Sequence, residues 1–136
     1  MQRLQIFMFA FSILTVATEL SFAADEDVGR MQFLYSCAAC HGEDGRGGTG
    51  ADGLFSKQAP DLTRLAARSG GTFPFDQVVA TIDGRGGLRG HRSPMPVWGM
   101  TFQNHYDAVS GSHLAELMAR GAILSVALYL AEIQEY

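Results

Sequence analysis

The sequence predicts an all-α protein, on three observations. No stretch alternates apolar and polar residues as a half-buried strand would, several segments repeat apolar residues at helical spacing, and glycine and proline collect mainly between those segments. A chain of 136 residues holds one ordinary domain. Its 16 glycines show no period, which excludes collagen and repeat arrays.

The first residues differ from the rest. Arg3 supplies a positive charge, Leu4 to Ala17 is apolar apart from Gln5, Ser12 and Thr15, and Ser21-Phe22-Ala23 offers small residues where a signal peptidase reads. The run is shorter than the roughly 20 residues needed to span a bilayer. The pattern predicts a signal peptide over 1–23, cleaved after Ala23, and one domain over 24–136. An uncleaved membrane anchor is the alternative, and either places the domain outside the cytoplasm.

Acidic residues from Asp25 open a segment with apolar Val28, Met31, Phe33, Leu34 and Tyr35, predicting a helix that ends at Cys37 and Cys40. Gly42 to Pro60 reads as loop. Asp61 is placed to cap a short helix to Arg68. Pro74 opens another, carried by Phe75, Val78, Val79 and Ile82 and stopped by Gly84. Glycines and prolines break residues 85–99 into irregular structure. About Ser112 to Gln134, dense in Leu, Ile, Ala and Val, predicts a long helix buried over much of its circumference. Met31 and Met118 are expected on helices as core fillers.

The net charge is −4, and Lys57 is the single lysine. Scattered arginines form no basic stripe, so nucleic acid is not an expected partner. The Gly42–Gly53 loop lacks the Gly-Lys-Ser/Thr ending of a phosphate-binding loop.

Cys37-Ala38-Ala39-Cys40-His41 is a C-x-x-C-H sequence, the spacing of covalent haem attachment. Two thiols three positions apart reach the two vinyl groups at one porphyrin edge, and the adjacent His41 offers a ring nitrogen to the iron. A thioredoxin-like pair belongs near a βαβ pattern that is missing here. A zinc site requires further ligands. A disulfide across two residues constrains little of the chain.

A second axial ligand has several candidates. Met95 lies between Pro94 and Pro96, which fix the backbone on both sides, and this favours it over Met100. His91, His105 and His113 would instead give a bis-histidine site. Arg85 and Trp98 are candidates to approach the haem propionates or, equally, ordinary surface and core residues.

The chain resembles the bacterial class I cytochromes c. Gly29, Phe33, Cys37, Cys40 and His41 reproduce the family pattern of a glycine eight before, and an aromatic four before, the first haem cysteine. Pro60-Asp61-Leu62 is similar to the segment whose proline carbonyl orients the haem-binding histidine. Met95-Pro96-Val97-Trp98-Gly99 looks like the methionine-ligand motif of small periplasmic members. Val126, Tyr129 and Leu130 are similar to positions of the family's last helix, which crosses the first at the glycine. The departures are the glycine-rich loop and the near absence of lysine, which removes the lysine docking ring some members use.

The resemblance implies three to five helices around one covalent haem c, with the terminal helices crossing. It implies an electron carrier rather than an enzyme, working in the periplasm within a respiratory chain. His41 is the expected proximal iron ligand and Met95 the distal one. Expected partners are redox proteins: a dehydrogenase or quinol oxidoreductase as donor, and an oxidase or another cytochrome as acceptor. Membrane contact comes only through partners unless the leader is retained. Two alternatives stand beside this reading: an electron-accepting haem subunit dedicated to one dehydrogenase complex, and a ligand-binding haem sensor. A large exposed apolar patch favours the dedicated subunit over a free carrier.

Overall fold

The computed structural model describes residues 28–48, 59–86 and 95–136. The leader expected over residues 1–23, His91, Pro94 and the far part of the Gly42–Gly53 loop lie outside them. Among the described residues every regular element is helical, as the sequence predicts.

Residues 28–36 form α1. α1 ends at the cysteines, as expected, and after a break at Cys37 the chain resumes as the single turn α2, Ala38–His41. Cys37 N–H donates to the Phe33 carbonyl at 2.8 Å and His41 N–H to the Cys37 carbonyl at 3.0 Å, so helical bonding runs through the break. Ala38 and Ala39, the best helix formers, favour this continuation.

α3 is also a single turn, Leu65–Arg68. Asp61 does not cap it. Its carboxylate accepts from Thr63 N–H at 2.8 Å and Thr63 Oγ1 at 2.7 Å, closing a turn ahead of the helix. α4, Phe75–Asp83, follows Pro74 and ends at Gly84 with φ 69°, as expected. α5, Trp98–Ser110, takes over where irregular structure was expected up to Gly99. Trp98 and Phe102, one turn apart, stack with ring centroids 5.3 Å apart. Gly111 separates it from α6, Ser112–Glu132.

α6 is the spine. It packs against α4 and α5, and Ala115, Ala119, Ala122, Ile123, Val126, Ala127 and Leu130 are buried along it. α1 crosses it at Gly29: a Cβ there would strike the Ser125 carbonyl oxygen and lie 2.9 Å from Tyr129 Cβ. Phe33, fully buried, fills the crossing against Tyr129, with ring centroids 5.3 Å apart.

Two core expectations fail. Met31 and Met118 are 64% and 41% exposed. They sit on outward stripes at helical spacing, Met31 with Val28 and Tyr35 on α1, Met118 with Leu114, Leu117, Leu124 and Leu128 on α6. α6 is therefore apolar on both its core face and much of its solvent face. Length and composition alone would let it cross a membrane, yet it packs here as a core helix.

Candidate haem site

Three side chains of the C-x-x-C-H sequence come together because α1 and α2 nearly form one helix. Cys37 lies in the core, Cys40 is half-buried, and both are free thiols. Burial, with the neighbouring Cys40 adding to it, pushes the Cys37 thiol up to about 12.

His41 is 8% exposed. Its Nδ1 lies 3.1 Å from the Pro60 carbonyl oxygen, which accepts only if Nδ1 carries the proton. Nε2 then holds the lone pair and has no hydrogen-bond partner among the described residues. Burial lowers the pKa of His41, while the Pro60 bond opposes that shift. A neutral imidazole with one nitrogen anchored and the other unclaimed is the form that binds a metal.

The segment carrying Pro60 is held from two sides. On one, Leu62 N–H donates to the Gly45 carbonyl and Gly47 N–H to the His41 carbonyl, both at 2.7 Å. On the other is the C-terminal tail. Gln134 Nε2 donates to the Leu62 carbonyl at 2.9 Å, its Oε1 accepts from Ala66 N–H at 2.8 Å, and Glu135 N–H donates to the Thr63 carbonyl at 2.7 Å. Sequence reasoning missed Gln134, whose position just past a helix end carries no signal. It also missed Gly47 within the loop. Gly47 has φ 78°, and a Cβ would strike the Ala59 carbonyl oxygen and lie 2.8 Å from the Pro60 carbonyl carbon. Gly47→Ala is expected to cost about 2 kcal/mol, combining positive-φ strain with the collision. Chemical denaturation measures the loss, and a shifted reduction potential reports the displaced Pro60 carbonyl.

Of the candidates for a second ligand, Met95 is half-buried and packs against the core cluster. Met100, on α5, is 55% exposed. His105 and His113 are exposed. Arg85 faces carboxylates: it pairs with Asp83 and with Glu116, each at 2.5 Å, and reaches Gln103 Oε1 at 3.2 Å.

Asp61, Asp83 and Glu116 lie below their ordinary range: Asp61 chiefly through the Thr63 hydroxyl, Asp83 through Arg85, and Glu116 through Arg85 and then Arg120. A carboxylate depressed in the folded state stabilises the fold above its unfolded pKa, and that stabilisation is lost as pH falls through the folded value. The thermal midpoint is therefore expected to hold at neutral pH and decline below about pH 4. Thermal melts from pH 7 to pH 2 check this, and Arg85→Gln should show a shallower acid decline.

Paired thiols on one helical turn, a buried imidazole with Nε2 unclaimed and a half-buried thioether on the same core all suit an iron porphyrin. Fold and site together define a helical protein of the kind that carries its haem covalently. A family model described as Cytochrome c matches residues 27–115, and the chain belongs to that family. The match carries covalent haem c and haem-based electron transfer with it, and Cys37, Cys40 and His41 fit its C-x-x-C-H attachment. It stops at the start of α6, before the tail that braces Pro60. No curated protein and no solved structure matches the chain.

Proposed function

We propose that this protein is a monohaem electron carrier with His/Met axial ligation, exported to the periplasm and passing electrons between a dehydrogenase or quinol oxidoreductase and an oxidase or second cytochrome. In this reading Cys37 and Cys40 form the thioethers, His41 is the proximal ligand through Nε2, and Met95 is the distal ligand. The observation that carries it is the buried His41 ring, anchored through Nδ1 to Pro60, with no partner for Nε2 among the described residues. The half-buried position of Met95 against the exposure of Met100, His105 and His113 supports the distal assignment. The haem supplies one-electron chemistry at the iron, and two protein ligands leave no position for substrate. The chain's own task is to keep both ligands seated, so that charge moves without bond breaking. Export rests on the apolar leader and its small-residue cleavage pattern.

A visible spectrum tests the ligand set. Ferric wild type is expected to show the weak far-red band of thioether sulfur on iron, Met95→Ala to lose it, and Met100→Ala to keep it. A band absent from wild type, or surviving in Met95→Ala, would overturn the assignment.

A second reading draws on the exposed apolar stripes. Leu114, Leu117, Leu124 and Leu128 on α6, with Val28, Met31 and Tyr35 on α1, favour a haem subunit held in one dehydrogenase complex over a freely diffusing carrier. Co-purification of a dehydrogenase from the native host, lost when Leu117 and Leu124 are replaced by Glu, would support the subunit. A monomer recovered alone would support the carrier.

A further inference from the structure

We infer that Arg85 is a positioning residue for the Met95 ligand, locking the turn after Met95 onto the ends of α4 and α6. The inference rests on the reading of Met95 as the distal ligand.

Met95 lies in a short turn that runs directly into α5. Two residues further on, Val97 accepts through its carbonyl from Met100 N–H and Thr101 N–H, each at 3.1 Å, and from Thr101 Oγ1 at 3.2 Å. Val97 thus joins the turn to the first turn of α5 as one unit. That unit rests on the end of α4. A Cβ on Gly84 would lie 3.4 Å from both Val97 Cα and Cγ1, so Val97 packs on the glycine that closes α4. At Gly99 the approach is closer: a Cβ there would strike both Asp83 Oδ1 and Arg85 Nε. The Asp83–Arg85 pair lies directly against the α5 backbone, and only glycine admits it.

Arg85 extends this contact to the rest of the molecule. Its guanidinium binds Asp83 through Nε and Nη2, Glu116 of α6 through Nη1 and Nη2, and Gln103 of α5 through Nη1. Glu116 also accepts from Arg120 at 2.6 Å. The side chains of Arg85, Asp83 and Glu116 are 23%, 29% and 31% exposed. A forked, partly buried network of this kind holds geometry better than an isolated surface pair. These contacts tie the start of α5, and the short segment between it and Met95, to the end of α4 and to Glu116 of α6; removing the guanidinium releases that tie. The five donors of arginine suit the site; the point charge of lysine does not reproduce them.

The test uses purified holoprotein and two probes that compete with Met95: imidazole binding to the ferric form and carbon monoxide binding to the ferrous form. Arg85→Gln is expected to bind both about tenfold more readily, the size of a typical network coupling. Arg85→Lys should fall between it and wild type. Gly99→Ala should reproduce the change, and the double variant should show less than the combined effect of the two. Arg30, exposed on α1 and outside this network, supplies the control: Arg30→Gln should match wild type in both assays. Wild-type binding by Arg85→Gln overturns the inference, as does an equal change in Arg30→Gln. If Arg85→Gln folds poorly, Gly99→Ala alone decides, with wild-type binding counting against the inference. A far-red band that survives Met95→Ala instead defeats the ligand reading, and this inference with it.

Discussion

Gly29→Val is expected to destabilise the protein by roughly 3 kcal/mol or more. A valine in the helix gains at most about 1 kcal/mol of propensity over glycine. Against that gain stands a collision with the Ser125 carbonyl oxygen and with Tyr129 Cβ at 2.9 Å. The first obstacle is backbone and the second is the root of a buried side chain, so neither can swing away. α1 must lift off α6, and Phe33 loses its seat against Tyr129. Because α1 runs into Cys37 and His41, the loss reaches the haem without touching a ligand. A drop in the thermal midpoint of more than about 10 °C is the expected reading. Gly29→Ala should lie between valine and wild type.

Met95→Ala has the second large effect, on chemistry rather than stability. Thioether ligation favours ferrous iron, so its loss should lower the reduction potential by a sizeable part of the roughly 0.8 V that axial ligands span. It also opens a coordination position, so the ferrous variant should bind carbon monoxide rapidly where wild type resists. Potentiometric titration and stopped-flow mixing measure the two. A potential unchanged in Met95→Ala, with slow carbon monoxide binding, would place the ligand elsewhere.

What the sequence made legible follows from how local each determinant is. The C-x-x-C-H run needs only five adjacent residues, so Cys37, Cys40 and His41 could be read as haem-attachment residues from sequence alone. The α4 ends were equally local, because Pro74 and Gly84 act through their own backbone angles. Gly29 was legible through the family resemblance, which places a glycine eight before the first haem cysteine at the crossing with the last helix, and the structure puts Ser125 and Tyr129 against it.

The misses were nonlocal or masked by mixed composition. α5 went unread past Gly99 because Thr101, Gln103, Asn104 and Asp107 dilute its apolar face. The spacing of Trp98, Phe102 and Tyr106 was the available signal. Met31 and Met118 were assigned to the core on residue type, while their helices leave an apolar stripe outside it. Gln134 and Gly47 act on residues far along the chain, on Leu62 and Ala66 and on Ala59 and Pro60, which no spacing rule reports. Arg85 was ambiguous in sequence because its partner Glu116 lies 31 positions away.

The central claim is covalent attachment of haem at Cys37 and Cys40. Acidified acetone added to the purified protein separates bound from detachable haem, because non-covalent haem dissolves while a thioether-linked one precipitates with the polypeptide. A red pellet under a colourless supernatant is predicted for wild type, and the Cys37→Ala, Cys40→Ala double variant should leave no colour in its pellet. A red supernatant from wild type would contradict the account.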